Sequence, residues 1–183
     1  MAAELVPAVT FALAALTAVG DLFLIISGLT WLYKGLTHDH EAFAGITGFF
    51  RRHALLFSFI VALIATSGSL FYSEIAGYTP CVLCWYQRIF MYPLVLVLGA
   101  ALIGKKRGVV RYAAPLAAAG GLIALYHYSL QRFPLLLSAP CEAGASCARV
   151  YTFTFGYVTI PMMALTAFLL ILAGMHLWKK TSS

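Results

Sequence analysis

Residues 81–103 read CVLCWYQRIFMYPLVLVLGAALI, a C-x-x-C motif followed at once by an apolar run. Arg88 lies one helical turn beyond Cys84, at the mouth of this run. The other two of the four cysteines, Cys141 and Cys147, lie together in a later polar stretch. Two close cysteine pairs beside a segment long enough to cross a bilayer indicate electron transfer between dithiols and a molecule dissolved in the lipid.

The composition is typical of an integral membrane protein. Of the 183 residues, 62% are hydrophobic and only 10% are charged, with a mean hydropathy of +0.92. A soluble domain is about half apolar and about a quarter charged. We therefore predict one all-α membrane domain over residues 1–183. Five stretches reach the roughly 20 apolar residues that a transmembrane helix needs: residues 6–33, 53–76, 80–103, 109–128 and 157–178.

The basic residues predict the orientation of the chain. They cluster at 34–52, 105–111 and 179–180, which are alternate loops and therefore lie on one side, the cytoplasm. The formal charge of +6 is thus explained by topology, and no nucleic-acid partner is expected. The N-terminus and both cysteine pairs are predicted to lie outside, where disulfides persist, and the C-terminus inside. The stretch 6–33 is expected to be a retained helix, because it lacks a basic leading segment and carries Asp21.

The first cysteine pair is predicted to lie at a helix start. Thr79 is a candidate cap and Pro80 favours the first helical position, so Cys81 and Cys84 would occupy the first turn, where the helix dipole favours a thiolate. Arg88 is four residues beyond Cys84 and shares its helix face. It is expected to hold the Cys84 thiolate and the negative charge that develops on a quinone oxygen. Alternatively, Arg88 extends to the outer headgroups or pairs with Glu74.

Other interpretations of the C-x-x-C motif are less compatible with the sequence. Haem attachment requires a histidine after the second cysteine, but residue 85 is Trp. A four-cysteine zinc site normally has two C-x-x-C knuckles, whereas Cys141 and Cys147 are separated by five residues. A purely structural disulfide within C-x-x-C is strained and reducible. Residues 38–41 (HDHE) are interpreted as a solvated charged loop, so no metal site is expected.

The second pair lies in the sequence CEAGASC, which predicts a flexible, exposed loop. Taken alone, Cys141 and Cys147 fit a structural disulfide equally well; beside a redox C-x-x-C on the same side, we favour a shuttle for electrons from a partner's thiols. His127, near the outer end of the fourth span, is a candidate donor to a quinone carbonyl. A purely structural histidine is the alternative. Asp21, deep in the first span, is expected to bond to another helix.

The stretch 81–88, followed by Tyr92-Pro93, resembles the signature of the DsbB family, including its BdbC branch. These are membrane thiol:quinone oxidoreductases of the bacterial cytoplasmic (inner) membrane that reoxidise a DsbA-type, thioredoxin-like protein. The resemblance covers the core at 53–178 and leaves the span 6–33 as an extra N-terminal helix. It implies a four-helix transmembrane bundle that binds ubiquinone or menaquinone near its outer face.

The resemblance also implies roles for the candidate residues. Cys84 would contact the quinone and Cys81 would exchange with the second pair. Within that pair, Cys141 would take the attack from the partner and Cys147 would resolve it. Arg88 matches the quinone-site arginine of the family, and His127 matches a histidine near the quinone.

Two departures from the family pattern bear on these expectations. The family does not supply a role for the extra helix, and the close spacing of the second pair questions a large loop rearrangement during turnover. Vitamin K epoxide reductase relatives share the quinone and the C-x-x-C motif, but their loop pair precedes it. The remaining alternatives are a non-catalytic membrane scaffold with structural disulfides, and a reductase that delivers electrons outward.

Overall fold

The computed structural model of the chain describes residues 2–37, 44–104, 107–133 and 147–182. These residues form five α-helices: α1 (Ala2–Thr37), α2 (Ala44–Leu70), α3 (Val82–Gly104), α4 (Val110–Arg132) and α5 (Ile160–Ser182). One wide π turn, Phe71–Ile75, extends the C-terminal end of α2, and a short 3-10 turn, Arg107–Val109, precedes α4. The described part of the chain contains no strand beyond an isolated bridge between Thr154 and Val158. The predicted all-α bundle with an additional N-terminal helix is confirmed.

Four of the helices are long and apolar enough to cross a membrane: Glu4–Tyr33, Gly48–Ile75, Val82–Gly104 and Ile160–Trp178. Each overlaps one of the five predicted spans. The remaining prediction, 109–128, coincides with α4, a helix of 23 residues. Helix α4 is less apolar than the others because it combines small residues with polar ones at both ends, and its small residues face α3 and α5.

The core lies where α5 packs against α2 and α4, with α3 completing the bundle. Leu94 and Leu98 of α3, Ala117 of α4, and Phe168 of α5 are fully buried there. Gly120 allows the close approach of α4 and α5, because a Cβ atom at this position would overlap the ring of Phe168. The small-residue run of α4 therefore forms the helix contact that its composition predicts.

Helix α1 packs mainly on α5. Its carboxylate, Asp21, accepts a hydrogen bond from the Thr166 hydroxyl at 2.6 Å through one oxygen, and from the Tyr157 hydroxyl at 3.0 Å through the other. Gly20, next to it, lets the helices approach, since a Cβ atom there would lie 3.0 Å from Leu170. The expected bond from Asp21 to another helix is confirmed, and it fixes the height of α1 along α5.

Candidate functional site

Helix α3 begins at Val82, so Cys81 is its N-cap residue. The Cys81 carbonyl accepts the Trp85 N–H at 3.1 Å, and the Cys81 sulfur accepts the Cys84 N–H at 3.4 Å. This is the position from which a cap side chain satisfies a free amide of the first turn. The prediction that Thr79 caps this helix is wrong. Thr79 lies two residues before Cys81, and its carbonyl accepts a hydrogen bond from the Tyr151 hydroxyl at 3.3 Å.

The two thiols of the C-x-x-C motif are free, with their sulfur atoms 3.0 Å apart. Cys81 is buried and Cys84 is half-buried. The hydrogen bond with Cys84 lowers the pKa of Cys81 well below its usual value; burial opposes this, and His127 adds to the lowering. Cys81 is therefore the better stabilised thiolate of the pair.

His127 lies between the two cysteine pairs. Its Nε2 is 3.7 Å from the Cys81 sulfur and 3.1 Å from the Cys147 carbonyl oxygen. Its Nδ1 is 2.9 Å from the Gln87 amide nitrogen. An amide nitrogen only donates, so Nδ1 accepts and Nε2 carries the proton that faces Cys81 and Cys147. Both His127 and Gln87 are buried, and sequence reasoning missed Gln87, although a polar side chain within an apolar span is itself a functional signal.

Cys147 is buried, whereas the sequence predicted that it would be exposed. It is disulfide-bonded and only 1% exposed, and it packs in one cluster with Cys81, Leu83 and Leu130. The prediction of exposure is wrong for this residue, because its side chain enters an apolar cluster and its carbonyl is bonded to His127. Cys141 lies outside the described residues, as does the charged loop 38–41.

Arg88 is held by the neighbouring helix α2. Its Nε donates to the Ser69 hydroxyl at 3.0 Å, and its Nη2 donates to the Ser69 carbonyl at 2.9 Å. The guanidinium also lies 5.2 Å from the centre of the Trp85 ring. The suggested pairing with Glu74 does not occur, since that carboxylate accepts from Ser73 instead.

A cavity of about 560 Å³ lies between α1, α2, α3 and α5. Near the cysteines its wall is polar, with Ser69, Tyr78, Cys84, Gln87 and Arg88; elsewhere it is almost entirely apolar. Cys81, His127 and Cys147 do not line it. The motif therefore presents Cys84 to a cavity among the helices and Cys81 to the second cysteine pair.

The site also resembles a partial metal site. The possible ligand atoms of Cys81, Cys84 and His127 all lie within 4.8 Å of one another. Zinc is bound by such ligands, usually four in structural sites. The predicted absence of a metal stays a prediction that zinc analysis can test.

The comparisons with known proteins cover the same part of the chain. The family described as disulfide bond formation protein DsbB matches residues 51–178. Disulfide bond formation protein C of Bacillus subtilis is 47% identical over 127 residues, which is 69% of this chain and 92% of that protein. A probable disulfide formation protein C of Halalkalibacterium halodurans is 46% identical over 118 residues, 64% of this chain and 86% of that protein. No solved structure matches significantly. With this match over most of its length and the C-x-x-C motif at a membrane helix start, the chain belongs to the DsbB family of disulfide bond formation proteins.

Proposed function

We propose that this membrane thiol oxidoreductase, which acts in disulfide bond formation, reoxidises an extracytoplasmic DsbA-type protein and passes the electrons through its two cysteine pairs to a membrane quinone. The observation that carries the proposal is the divergence of the two thiols of the C-x-x-C motif. Cys81 lies in one buried cluster with Cys147, and Cys84 lines the cavity beside Arg88. One short motif thus adjoins both a second cysteine pair and a lipid-sized cavity.

The electrons move by two thiol–disulfide exchanges. The partner's dithiol becomes a disulfide as the Cys141–Cys147 disulfide becomes a dithiol. That dithiol then reduces the Cys81–Cys84 disulfide. We assign the partner's attack to Cys141 and the resolving step to Cys147, in line with the family resemblance. The Cys81–Cys84 dithiol finally closes to a disulfide and releases two electrons and two protons.

The cavity suits a quinone as the acceptor of these electrons. When bound, a quinone supplies a two-electron, two-proton acceptor. Most polar groups gather at the end of the cavity that holds Cys84. The rest is apolar apart from Thr17 and Thr166, whose hydroxyls are bonded to the Leu13 carbonyl and to Asp21. Arg88 is the single cation among the lining residues, and Ser69 orients it. A fixed guanidinium in a dry site stabilises negative charge more strongly than it would in water.

The two remaining polar residues of the site, His127 and Gln87, are proposed to act on the thiol groups. We propose that the Nε2 proton of His127 stabilises the Cys81 thiolate while Cys81 exchanges with the second pair, and that Gln87 keeps the ring in the required tautomer. The predicted contact of His127 with a quinone carbonyl would require the ring to leave these partners. We also propose the orientation that the basic loops indicate, with the N-terminus and both pairs outside the cytoplasmic membrane and the C-terminus inside.

The test is anaerobic quinone reduction by the purified protein with a reduced DsbA-type partner, using ubiquinone and menaquinone analogues. We expect the wild type to consume quinone, and Cys84→Ser and Cys147→Ser to abolish this. Arg88→Ala should raise the quinone KM or slow quinone reduction while leaving exchange with the partner intact. If folded wild type consumes neither quinone, the relay is refuted. A non-catalytic scaffold or an outward-directed reductase would then explain the cysteines better.

A further inference from the structure

Helix α1 is an addition to the part of the chain shared with relatives. The family match begins at residue 51, after the 36-residue helix α1 has ended. The Bacillus subtilis relative is matched over 92% of its own length, so its unmatched remainder is too short to contain a helix of this size. The family therefore offers no explanation for α1, and its role has to follow from its contacts.

Helix α1 forms one wall of the cavity beside Cys84 and Arg88. It packs against α5 and leaves a gap towards α2 and α3, and this gap is the cavity. The α1 residues that line it recur at helical spacing along one face: Leu13, Leu16, Thr17, Val19, Gly20 and Phe23. Without this face, the apolar part of the cavity would be open to the surrounding lipid.

The cavity has the shape of a molecule with a polar head and an apolar chain. Along α2 its lining extends from Ser69, at the thiol end, to Phe50, which is about 28 Å of helix and close to the roughly 30 Å hydrocarbon thickness. At the far end the ring of Phe23 lies 4.9 Å from the ring of Phe50, and these two form a floor. A tail-less ring would leave most of this apolar length unfilled.

The carboxylate of Asp21 holds α1 in one position as the wall of the cavity. An acidic side chain within a membrane span is costly unless it is paired. Asp21 is paired with the hydroxyls of Thr166 and Tyr157, on the side of α1 that faces α5. This anchor holds the face that carries Leu16 against the cavity at a fixed height relative to Cys84.

We propose that α1 is the binding site for the isoprenoid tail of the quinone whose ring lies beside Cys84 and Arg88. This inference rests on the quinone acceptor of the proposed function. It adds that the helix outside the shared core selects for an acceptor with a long apolar chain, by covering that chain from the lipid. A phospholipid acyl chain is the competing occupant of the same groove.

The helix offers a matched pair of variants for the test. Leu16 and Leu22 are the same residue type on the same helix and are 54% and 57% exposed, but only Leu16 lines the cavity. In the full-length protein, Leu16→Trp would fill the tail site, whereas Leu22→Trp would add the same bulk facing the lipid. Both are compared with wild type using a long-tailed quinone and the corresponding ring without a tail.

We expect Leu16→Trp to raise the KM for the long-tailed quinone about tenfold and to leave the KM for the tail-less ring unchanged, which also shows that the variant is folded. The quinone extracted from the purified protein should fall in parallel. Leu22→Trp should match wild type in both measurements. Leu16→Phe is the milder variant to use if Leu16→Trp does not fold.

Three outcomes would overturn the inference. Equal behaviour of the Leu16 and Leu22 variants would show that α1 does not bind the tail. Recovery of phospholipid in place of quinone from active wild-type protein would assign the groove to an acyl chain. Both results leave the proposed function standing, whereas wild-type protein that reduces neither quinone would refute that function and this inference together.

Discussion

Ser69→Ala tests whether α2 positions Arg88, the arginine of the proposed quinone site. The change removes the hydroxyl that accepts the Arg88 Nε proton at 3.0 Å and leaves the bond from Nη2 to the Ser69 carbonyl at 2.9 Å. A hydrogen bond to a charged group contributes about 1.5–3 kcal/mol, and about 1.4 kcal/mol corresponds to a factor of ten in binding. Because one of the two bonds remains, we expect the lower limit, an increase of about tenfold in the quinone KM.

The assay is steady-state quinone reduction with saturating reduced partner, followed by the same assay with quinone saturating. The KM for the partner should not change, because Ser69 lies on the cavity side and does not contact Cys81. Ser58→Ala is the matched control: Ser58 lies on the same helix, but it donates to the Ala54 carbonyl and does not line the cavity. In an Arg88→Ala background, Ser69→Ala should have no further effect, since the two residues act through one contact. Unchanged quinone kinetics in Ser69→Ala, with Arg88→Ala impaired, would refute the positioning role.

Three further predictions concern other parts of the molecule. His127→Ala should slow electron transfer between the cysteine pairs in single-turnover experiments. It should leave the quinone KM unchanged, because His127 does not line the cavity. A raised quinone KM would instead favour the predicted contact of His127 with the quinone. Because the pKa of Cys81 is lowered, the reduced protein should still show thiolate absorbance at 240 nm at neutral pH and should lose it as the pH falls. An ordinary thiol ionises only near pH 8.5. The Cys81→Ser variant should lack this low-pH transition. Gly120→Leu should lower the free energy of unfolding by about 1–3 kcal/mol, because the new side chain would overlap the ring of Phe168. Thermal unfolding in detergent measures this change. Gly121→Ala should be tolerated, because its Cβ atom would lie at an ordinary 3.4 Å from Phe168.

The membrane class and the helices could be predicted from the sequence because they depend on local composition. The same holds for the shared face of Cys84 and Arg88, which follows from a four-residue spacing on one helix. Contacts between helices could not be predicted in this way. Ser69, which holds Arg88, and Gln87, which bonds His127, find their partners 19 and 40 residues away. Nothing in the local sequence distinguishes Ser69 from a residue that merely lets helices approach.

The helix start at Cys81 shows a different limit. Threonine is the better cap on average, and the sequence places one two residues before the cysteine. In the structure the cysteine sulfur itself accepts the amide of the first turn. The average preference is overridden because Cys81 is fixed by its tertiary contacts with His127 and the cluster around Cys147.

The divergence of Cys81 and Cys84 also provides chemical insulation. Quinones are electrophiles that can add directly to exposed thiols, which would alkylate a substrate protein instead of oxidising it. In the proposed relay, the partner's thiols meet only the second cysteine pair, and the quinone ring meets only Cys84, because Cys81 is buried beside Cys147 and does not line the cavity. Excluding a reactive species from the wrong nucleophile is a recognised benefit of a closed site. Two adjacent thiols that face different surroundings thus keep a nucleophilic, protein-facing half-reaction apart from an electrophilic, lipid-facing one, so that only electrons and protons pass between them.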